Sequence, residues 1–217
     1  MPASSNVAAP EAPVPAPTPV RNVVFDMGGV LMTFDGPHFA SLFTESAADA
    51  ELLDRALFDG PLWPLLDAGV VSHQTVARYA RAHLPERLHP ALAECIAHWP
   101  EHSEPIAATN DLAIRLRSEG YGIYLLSNAS TRIMEQLDHM PAMPHMMGHV
   151  VSAEERVMKP DPELFAILCA RYGLDPAECL FVDDNPDNCE GARVAGMRAW
   201  HFTGDVGALE AAIRALS

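Results

Sequence analysis

Polar side chains that could take part in catalysis stand directly after short apolar runs of this 217-residue chain. In chain order they are Asp26, Ser127 with Asn128, and the pair Asp183 and Asp184. A lysine, Lys159, follows a further apolar run within the sequence Met-Lys-Pro-Asp-Pro. In an open α/β sheet, ligands bind beyond the carboxyl ends of the strands. These residues are therefore predicted to meet at one edge of a sheet.

The three carboxylates of this set predict a bound cation. Clustered carboxylates repel one another, and a single lysine does not offset them together with an anionic substrate. An all-oxygen set suits Mg²⁺, which binds through one or two carboxylates, water and substrate phosphate. A helix predicted to begin near Ser130 would direct its positive end to the same place, which favours a phosphate ligand.

The elements that must position these residues alternate along the chain. Apolar runs typical of buried strands occupy 22–25, 122–126, 149–151, 179–182 and 199–202. Stretches typical of helices occupy 106–118, 131–139, 162–172, 187–195 and 206–216. This alternation predicts an α/β fold, a doubly wound parallel sheet with helices on both faces.

Composition divides the chain into three predicted regions. Residues 1–20 are rich in Pro and Ala, and because proline removes backbone donors this segment is predicted to be a disordered tail. Residues 34–105 contain helical patterns and chain breakers without a convincing strand run, which predicts a small helical insertion after the first strand. Residues 21–33 and 106–217 form the predicted α/β core.

Charge and composition exclude several classes of partner. Lys and Arg sum to 14 against 29 Asp and Glu, and the net charge of −15 disfavours nucleic acid and anionic membranes. We expect a cytoplasmic protein, because there is neither a membrane-length apolar stretch nor a signal-peptide pattern. The four cysteines form no CxxC pair and are expected to be reduced and buried. The sequence leaves the oligomeric state open.

Taken in order, these residues resemble the four motifs of the haloacid dehalogenase superfamily in its phosphatase-like branch. Asp26, in Val-Val-Phe-Asp-Met-Gly-Gly-Val, matches the first motif, and Ser127 matches the second. Lys159 matches the third, and the Asp183-Asp184 pair matches the fourth. The insertion resembles the small helical cap of that family, so residues 34–105 are called the cap below. Each motif alone is weak, but their order and the insertion point together are specific.

The resemblance implies a Mg²⁺-dependent phosphatase of a small phosphorylated metabolite, for example a sugar phosphate, acting through an aspartyl-phosphate intermediate. The catalytic residues that it implies are Asp26 as the nucleophile, Ser127 and Lys159. The implied substrate-binding residues are Ser127, the Asn128 backbone and Lys159. The implied metal ligands are Asp26, the backbone carbonyl of Gly28, Asp183 and Asp184.

The sequence departs from the family pattern at Gly28. Most phosphatases of this superfamily carry a second aspartate there, which protonates the leaving group. The Asp-x-Gly form resembles the subgroup that includes sugar-1-phosphate phosphatases. Candidate proton donors are Asp35 and His38 at the start of the cap, or water.

Two other functions stay open. A dehalogenase-like hydrolase of the same fold usually has an aromatic residue at the position of Gly28 and uses no metal, so Mg²⁺ dependence separates it from a phosphatase. A non-catalytic protein that binds a phosphate ligand would keep the pocket without steady phosphate release. In the cap, Trp63, Leu65 and Leu66 are expected to form the hydrophobic core, with substrate contact as the alternative for Trp63.

Overall fold

The computed structural model describes residues 18–217. Residues 1–17 of the predicted tail lie outside the described residues. Val20 is buried, and its backbone N–H donates to the Leu216 carbonyl over 2.7 Å. The Arg198 guanidinium also donates to the Thr18 carbonyl. The chain therefore contacts the core from residue 18 onward, before the first strand.

Five parallel strands form one sheet, as the sequence predicts. They are β1 (Asn22–Phe25), β2 (Gly122–Ser127), β3 (Gly148–Val151), β4 (Cys179–Asp183) and β5 (Arg198–His201). Their order across the sheet is β3-β2-β1-β4-β5, so the chain winds outward from β1 in both directions. Each strand begins and ends within one residue of its predicted run, and the doubly wound α/β class is confirmed.

The helices of the described chain are short to medium in length. They are α1 (Gly36–Leu42), α2 (Ala47–Ala56), α3 (Trp63–Asp67), α4 (His73–His83), α5 (His89–His98), α6 (Ala107–Ser118), α7 (Met134–Leu137), α8 (Ser152–Glu155), α9 (Pro162–Tyr172), α10 (Pro186–Val194) and α11 (Val206–Leu216). Short 3-10 helices occupy Glu86–Leu88, Trp99–His102, Met143–His145 and Pro176–Glu178.

The predicted helix over 131–139 is mostly wrong. Only the 4-residue α7 forms there, and no side chain caps its start. The neighbouring turns close through bonds between residues three apart, such as Ile133 N–H to Ser130 O at 3.1 Å. An element this short has little dipole, so the predicted helix-terminus phosphate site near Ser130 is not formed.

Alternate residues of the strands pack against helices on opposite faces of the sheet. In β1, Val23 and Phe25 belong to a buried cluster that includes side chains of α6 and α11. Val24 belongs to a second cluster with side chains of α9 and α10. A parallel sheet covered on both faces needs such continuous apolar strands. This explains why the strands are readable from the sequence.

Helices α1 to α5 lie in the region between β1 and α6 and have a hydrophobic cluster of their own, which includes Phe39, Leu53 and Leu92. Ser46 and Ser72 cap α2 and α4 through their side-chain oxygens. Elsewhere, the four cysteines are free, buried thiols within residues 18–217. None of the helices described is long and apolar enough to cross a bilayer.

Candidate active site

Three neighbouring strand ends bring the predicted site residues together. Asp26 directly follows β1, while Ser127 ends β2 and Asp183 ends β4, and β1 lies between these two strands. The Asp26 backbone N–H donates to Val182 O of β4 over 2.9 Å and continues the ladder one residue further. The strand order thus converts distant sequence positions into one cluster at the carboxyl edge of the sheet.

Lys159 occupies the centre of this cluster. Its side chain is fully buried, and Nζ lies 2.7 Å from Asp26 Oδ1 and 2.7 Å from Asp183 Oδ2. Nζ also donates to the Leu126 carbonyl over 3.0 Å. Burial alone would lower the pKa of Lys159, but the two carboxylates more than offset it and raise that pKa. The side chain is therefore a fixed, charged ammonium group.

Asn128 positions the segment that carries this lysine. Its Oδ1 accepts from the Lys159 backbone N–H at 2.8 Å, and its Nδ2 donates to the Lys159 carbonyl at 2.9 Å. The Asn128 side chain thus joins the end of β2 to the Lys159 segment.

The acidic residues Asp26, Asp183 and Asp184 have carboxylate oxygens that all lie within 4.8 Å of one another. Asp183 is fully buried and accepts from Asn185 N–H at 2.8 Å and from Asn188 Nδ2 at 3.1 Å. Asp184 is exposed and lines a cavity together with Asp26. Asp183 is therefore firmly oriented, and the other two carboxylates border the space where a ligand can bind.

The electrostatics of this cluster fit a divalent cation. Burial raises the pKa of Asp26 to about 7, with Lys159 opposing the increase and Asp183 adding to it. Burial and then the charge of Asp183 also raise the pKa of Asp184. The single ammonium group therefore leaves negative charge uncompensated. Hard oxygen ligands of this kind match the preference of Mg²⁺.

The glycines after Asp26 allow a close approach of Asp184. Gly29 has a φ of +70°, and a Cβ built there would lie 2.2 Å from Asp184 Oδ2. The left-handed backbone and the lack of a side chain are both required at Gly29. Gly28 lines the cavity without a left-handed φ, and a Cβ there would lie 3.5 Å from Phe34 Cβ, an ordinary contact.

The cavity above these residues has a volume of about 280 Å³ and is bordered by both the core and the cap. Phe34, Trp63 and Trp99 form an aromatic wall, with ring centroids 5.6 to 6.0 Å apart. Trp63 also packs on Phe58 at 4.8 Å, so it lines the cavity and belongs to the cap core at once. Leu66 is buried as expected, whereas Leu65 is 40% exposed, contrary to the expectation.

Asp67 lines the same cavity, although the sequence motifs do not indicate it. Burial raises the pKa of its carboxyl to about 7, against a lowering by the Ser130 backbone N–H. No local pattern marks Asp67, because it ends a short helix far from the four motifs. The proton donors that the sequence suggests, Asp35 and His38, do not line this cavity: Asp35 caps α1, and His38 is exposed.

Arg132 and Gln136 also line the cavity, and the sequence motifs do not indicate them. Arg132 donates to Ile96 O at 2.6 Å and Ala97 O at 3.1 Å in the cap, and pairs with Glu135 at 2.6 Å. It therefore joins the loop after β2 to α5. Gln136 is buried, and its Nε2 has no hydrogen-bond partner among residues 18–217. Arg132 and Gln136 lie shortly after Ser127 in the chain, and the fold of the loop after β2 brings them to the cavity.

Comparison with known proteins places this chain in a family. Residues 20–196 match the family model described as haloacid dehalogenase-like hydrolase. The chain belongs to this family. The resemblance seen in the four motifs is thereby confirmed at the level of the superfamily.

Relatives within the haloacid dehalogenase-like hydrolases differ in their chemistry. (S)-2-haloacid dehalogenase 4A of Burkholderia cepacia is 27% identical over 132 residues, 60% of this chain and 54% of that protein. The sesquiterpene phosphatase astK of Aspergillus oryzae is 24% identical over 192 residues, 86% of this chain and 91% of that protein. The chain thus spans about half the length of the dehalogenase and most of that of the phosphatase.

A solved haloacid dehalogenase family enzyme shares the fold. The enzyme from Bacteroides thetaiotaomicron, in complex with magnesium and inorganic phosphate, superposes with a TM-score of 0.64 at 20% identity. The match covers 86% of this chain and 96% of that one. The fold is therefore shared along nearly the whole length of that enzyme.

Proposed function

We propose that the protein is a Mg²⁺-dependent phosphatase that hydrolyses a small phosphorylated metabolite through an aspartyl-phosphate. The observation that carries this proposal is the cluster of Asp26, Asp183 and Asp184 around the single buried ammonium group of Lys159. Such a site needs a further cation and then favours an anionic substrate. The solved magnesium and phosphate complex of a protein with the same fold supports it.

Each residue of the cluster has a proposed role. Asp26 attacks phosphorus, because its carboxylate borders the cavity at the end of the central strand. The Ser127 hydroxyl and the Asn128 backbone hold phosphoryl oxygens. Lys159 keeps Asp26 oriented and offsets charge on the phosphoryl group.

The residues that would hold Mg²⁺ are Asp26, the Gly28 carbonyl, Asp184, and Asp183 directly or through water. The ion supplies charge stabilisation for the phosphoryl oxygens when bound. Asp183, whose oxygens already accept from Lys159, Asn185 and Asn188, orients the lysine at the same time.

The cap, proposed as residues 34–105, supplies the side of the cavity that faces the organic part of the substrate. Phe34, Trp63 and Trp99 present ring faces and edges there. A cavity of about 280 Å³ fits a small organic group. A sugar phosphate is one such substrate, since aromatic rings contact the C–H faces of sugars.

A dehalogenase is the competing function, because a named dehalogenase is among the relatives. The arrangement of Asp183 and Asp184 disfavours it. A halide leaving group needs no cation at the nucleophile, whereas three carboxylates within 4.8 Å call for one.

One paired assay tests the proposal. Phosphate release from a panel of phosphate monoesters and halide release from 2-haloacids are measured with Mg²⁺ and with chelator. We expect phosphate release that needs Mg²⁺ and is abolished by Asp26→Asn, because an amide cannot form the acyl phosphate. Asp111→Asn, an exposed aspartate on α6, is the control and should retain activity. Halide release without Mg²⁺, or phosphate release by Asp26→Asn, would contradict the proposal.

A further inference from the structure

A phosphatase of this kind needs a proton donor for the leaving group, and Gly28 offers no side chain for that role. Among the described residues that line the cavity, the carboxyl groups belong to Asp26, Asp67 and Asp184. Asp26 is the proposed nucleophile, and Asp184 belongs to the proposed cation cluster. Asp67 is the remaining carboxyl group, and it reaches the cavity from the cap at the end of α3.

Asp67 is held against the core beside the strand end that carries Ser127. Its backbone carbonyl accepts from Ser152 Oγ at 2.5 Å, and the same Oγ accepts from the Ala129 N–H at 2.9 Å. Ala129 lies two residues after Ser127. The hydroxyl of Ser152 thus connects the backbone of Asp67 to the segment that follows Ser127 and Asn128, which are proposed to hold phosphoryl oxygens.

The turn after Asp67 packs tightly on the core. Gly69 has a φ of +67°, and a Cβ built there would lie 2.3 Å from Ala153 O. This contact fixes the end of α3 on α8, so the backbone that carries Asp67 has a defined position beside the cavity.

The surroundings of Asp67 suit a group that carries a proton near neutral pH. The carboxyl is half-buried, and burial raises its pKa to about 7, while the Ser130 N–H opposes the increase. A general acid works best when its pKa lies near the working pH. The place of Asp67 at the cavity and its raised pKa therefore both suit a general acid.

We propose that Asp67 is the catalytic residue that protonates the leaving group, in place of the aspartate missing at Gly28. This assignment rests on the phosphatase function proposed above. A carboxylate oxygen of Asp26 bonds to phosphorus as the ester P–O bond breaks, and the departing oxygen takes the proton of Asp67, giving the free alcohol. Water then attacks phosphorus and the P–O bond to Asp26 breaks. The Asp67 carboxylate takes a proton from that water, which restores both aspartates and releases inorganic phosphate.

The test is the leaving-group dependence of Asp67→Asn in the presence of Mg²⁺. With n-butyl phosphate, whose leaving group needs protonation, we expect kcat to fall by about 10² to 10⁴. With p-nitrophenyl phosphate, whose leaving group needs little protonation, we expect a loss of less than about tenfold. Activity on the second substrate also shows that the variant is folded. Asp59→Asn, an exposed aspartate in the same cap, should lower neither rate.

A second variant separates proton donation from a structural role. Gly28 has room for a Cβ and its φ is not left-handed. Gly28→Asp can therefore place a carboxyl where most phosphatases of this superfamily carry the aspartate that protonates the leaving group. In the Asp67→Asn background, Gly28→Asp should restore activity on n-butyl phosphate at least about tenfold.

Three results would overturn the assignment. Equal losses on both esters, with no rescue by Gly28→Asp, would show that Asp67 has only a structural role. Full activity of Asp67→Asn on n-butyl phosphate would place the donor elsewhere, while leaving the phosphatase function intact. A wild-type protein that releases phosphate from neither of these esters nor from any monoester of the panel would refute the phosphatase function, and the role of Asp67 with it.

Discussion

At the scale of single residues, the centre of the site is an ammonium group surrounded by carboxylates. Lys159 is the only lysine in the sequence, and all other basic side chains, histidines apart, are arginines. It is fully buried between Asp26 and Asp183. An ammonium group is a compact point charge, whereas a guanidinium is a planar fork. The position therefore requires lysine for shape as well as for charge.

The charge of Lys159 can be observed directly, because a lysine label gives a single side-chain signal. Its pKa is raised by the two carboxylates. In apoprotein labelled with ¹³C-lysine, we expect the Cε chemical shift to stay constant up to about pH 10. Asp183→Asn, which removes one partner, should lower the pKa. A titration of the wild-type signal near neutral pH would contradict the buried ion pairs.

The raised pKa of Asp67 predicts a pH-dependent contribution to stability. Its folded-state pKa is about 7 against an unfolded value of 3.8, so the folded protein binds the extra proton between those values. Stability is therefore lost as pH rises from about 4 to about 7, by at most about 1.4 kcal/mol per pH unit at this site.

Urea unfolding of wild type and Asp67→Asn with chelator, at several pH values, measures that contribution. Because the amide does not titrate, the free energy of unfolding of Asp67→Asn should rise relative to wild type across this window. Shifts at the other acidic groups cancel in the difference. A constant difference between the two proteins would show that the Asp67 pKa is unperturbed by folding.

At the scale of elements, the loop after β1 determines whether Asp184 can approach Asp26. Gly29→Ala should cost about 1 to 2 kcal/mol from the left-handed backbone and also displace the Asp184 carboxylate, which weakens Mg²⁺ binding. Gly173→Ala is the matched control, since Gly173 has a φ of +66° with open space around its Cα. Calorimetry should show weaker Mg²⁺ binding for Gly29→Ala and unchanged binding for Gly173→Ala. Equal Mg²⁺ affinities of the two variants would contradict the role given to Gly29.

The strand ends could be predicted from the sequence, whereas the cap side of the cavity could not. Strands such as β1 are continuous apolar runs, and parallel topology places Asp26, Ser127 and Asp183 together wherever those runs end. Asp67 and Arg132 reach the cavity through contacts between segments far apart in the chain, such as Ser152 Oγ with Asp67 O. Neither has a local pattern, and the short α7 replaced the helix that periodicity predicted.

At the scale of the whole molecule, the cap and core are joined around the cavity by a few specific contacts. Arg132 donates to carbonyls of the cap, and Ser152 donates to Asp67 O. On the core side of the cavity, the strand-end carboxylates repel one another when no cation is bound. Folding therefore brings close together negative charges that are far apart in the unfolded chain.

Bound Mg²⁺ should for this reason stabilise the entire fold. At a concentration about 100 times Kd, binding adds about 2.7 kcal/mol, which raises Tm by roughly 5 to 10 °C for a protein of this size. Thermal unfolding in Mg²⁺ and in chelator gives the measurement. Asp184→Asn should lose most of the increase, whereas Asp111→Asn should keep it. An identical Tm in both conditions would count against the cation site.

The proposed mechanism requires Asp26 to receive the phosphoryl group of the substrate when Mg²⁺ is present. Enzyme in excess is mixed with p-nitrophenyl phosphate, quenched in acid at increasing times and digested for mass spectrometry. We predict phosphate on the peptide that contains Asp26, appearing before inorganic phosphate, and its absence in chelator or in Asp26→Asn. Inorganic phosphate released with no phosphorylated Asp26 at any time, or phosphate found on a different residue, would contradict the role of Asp26 as the nucleophile.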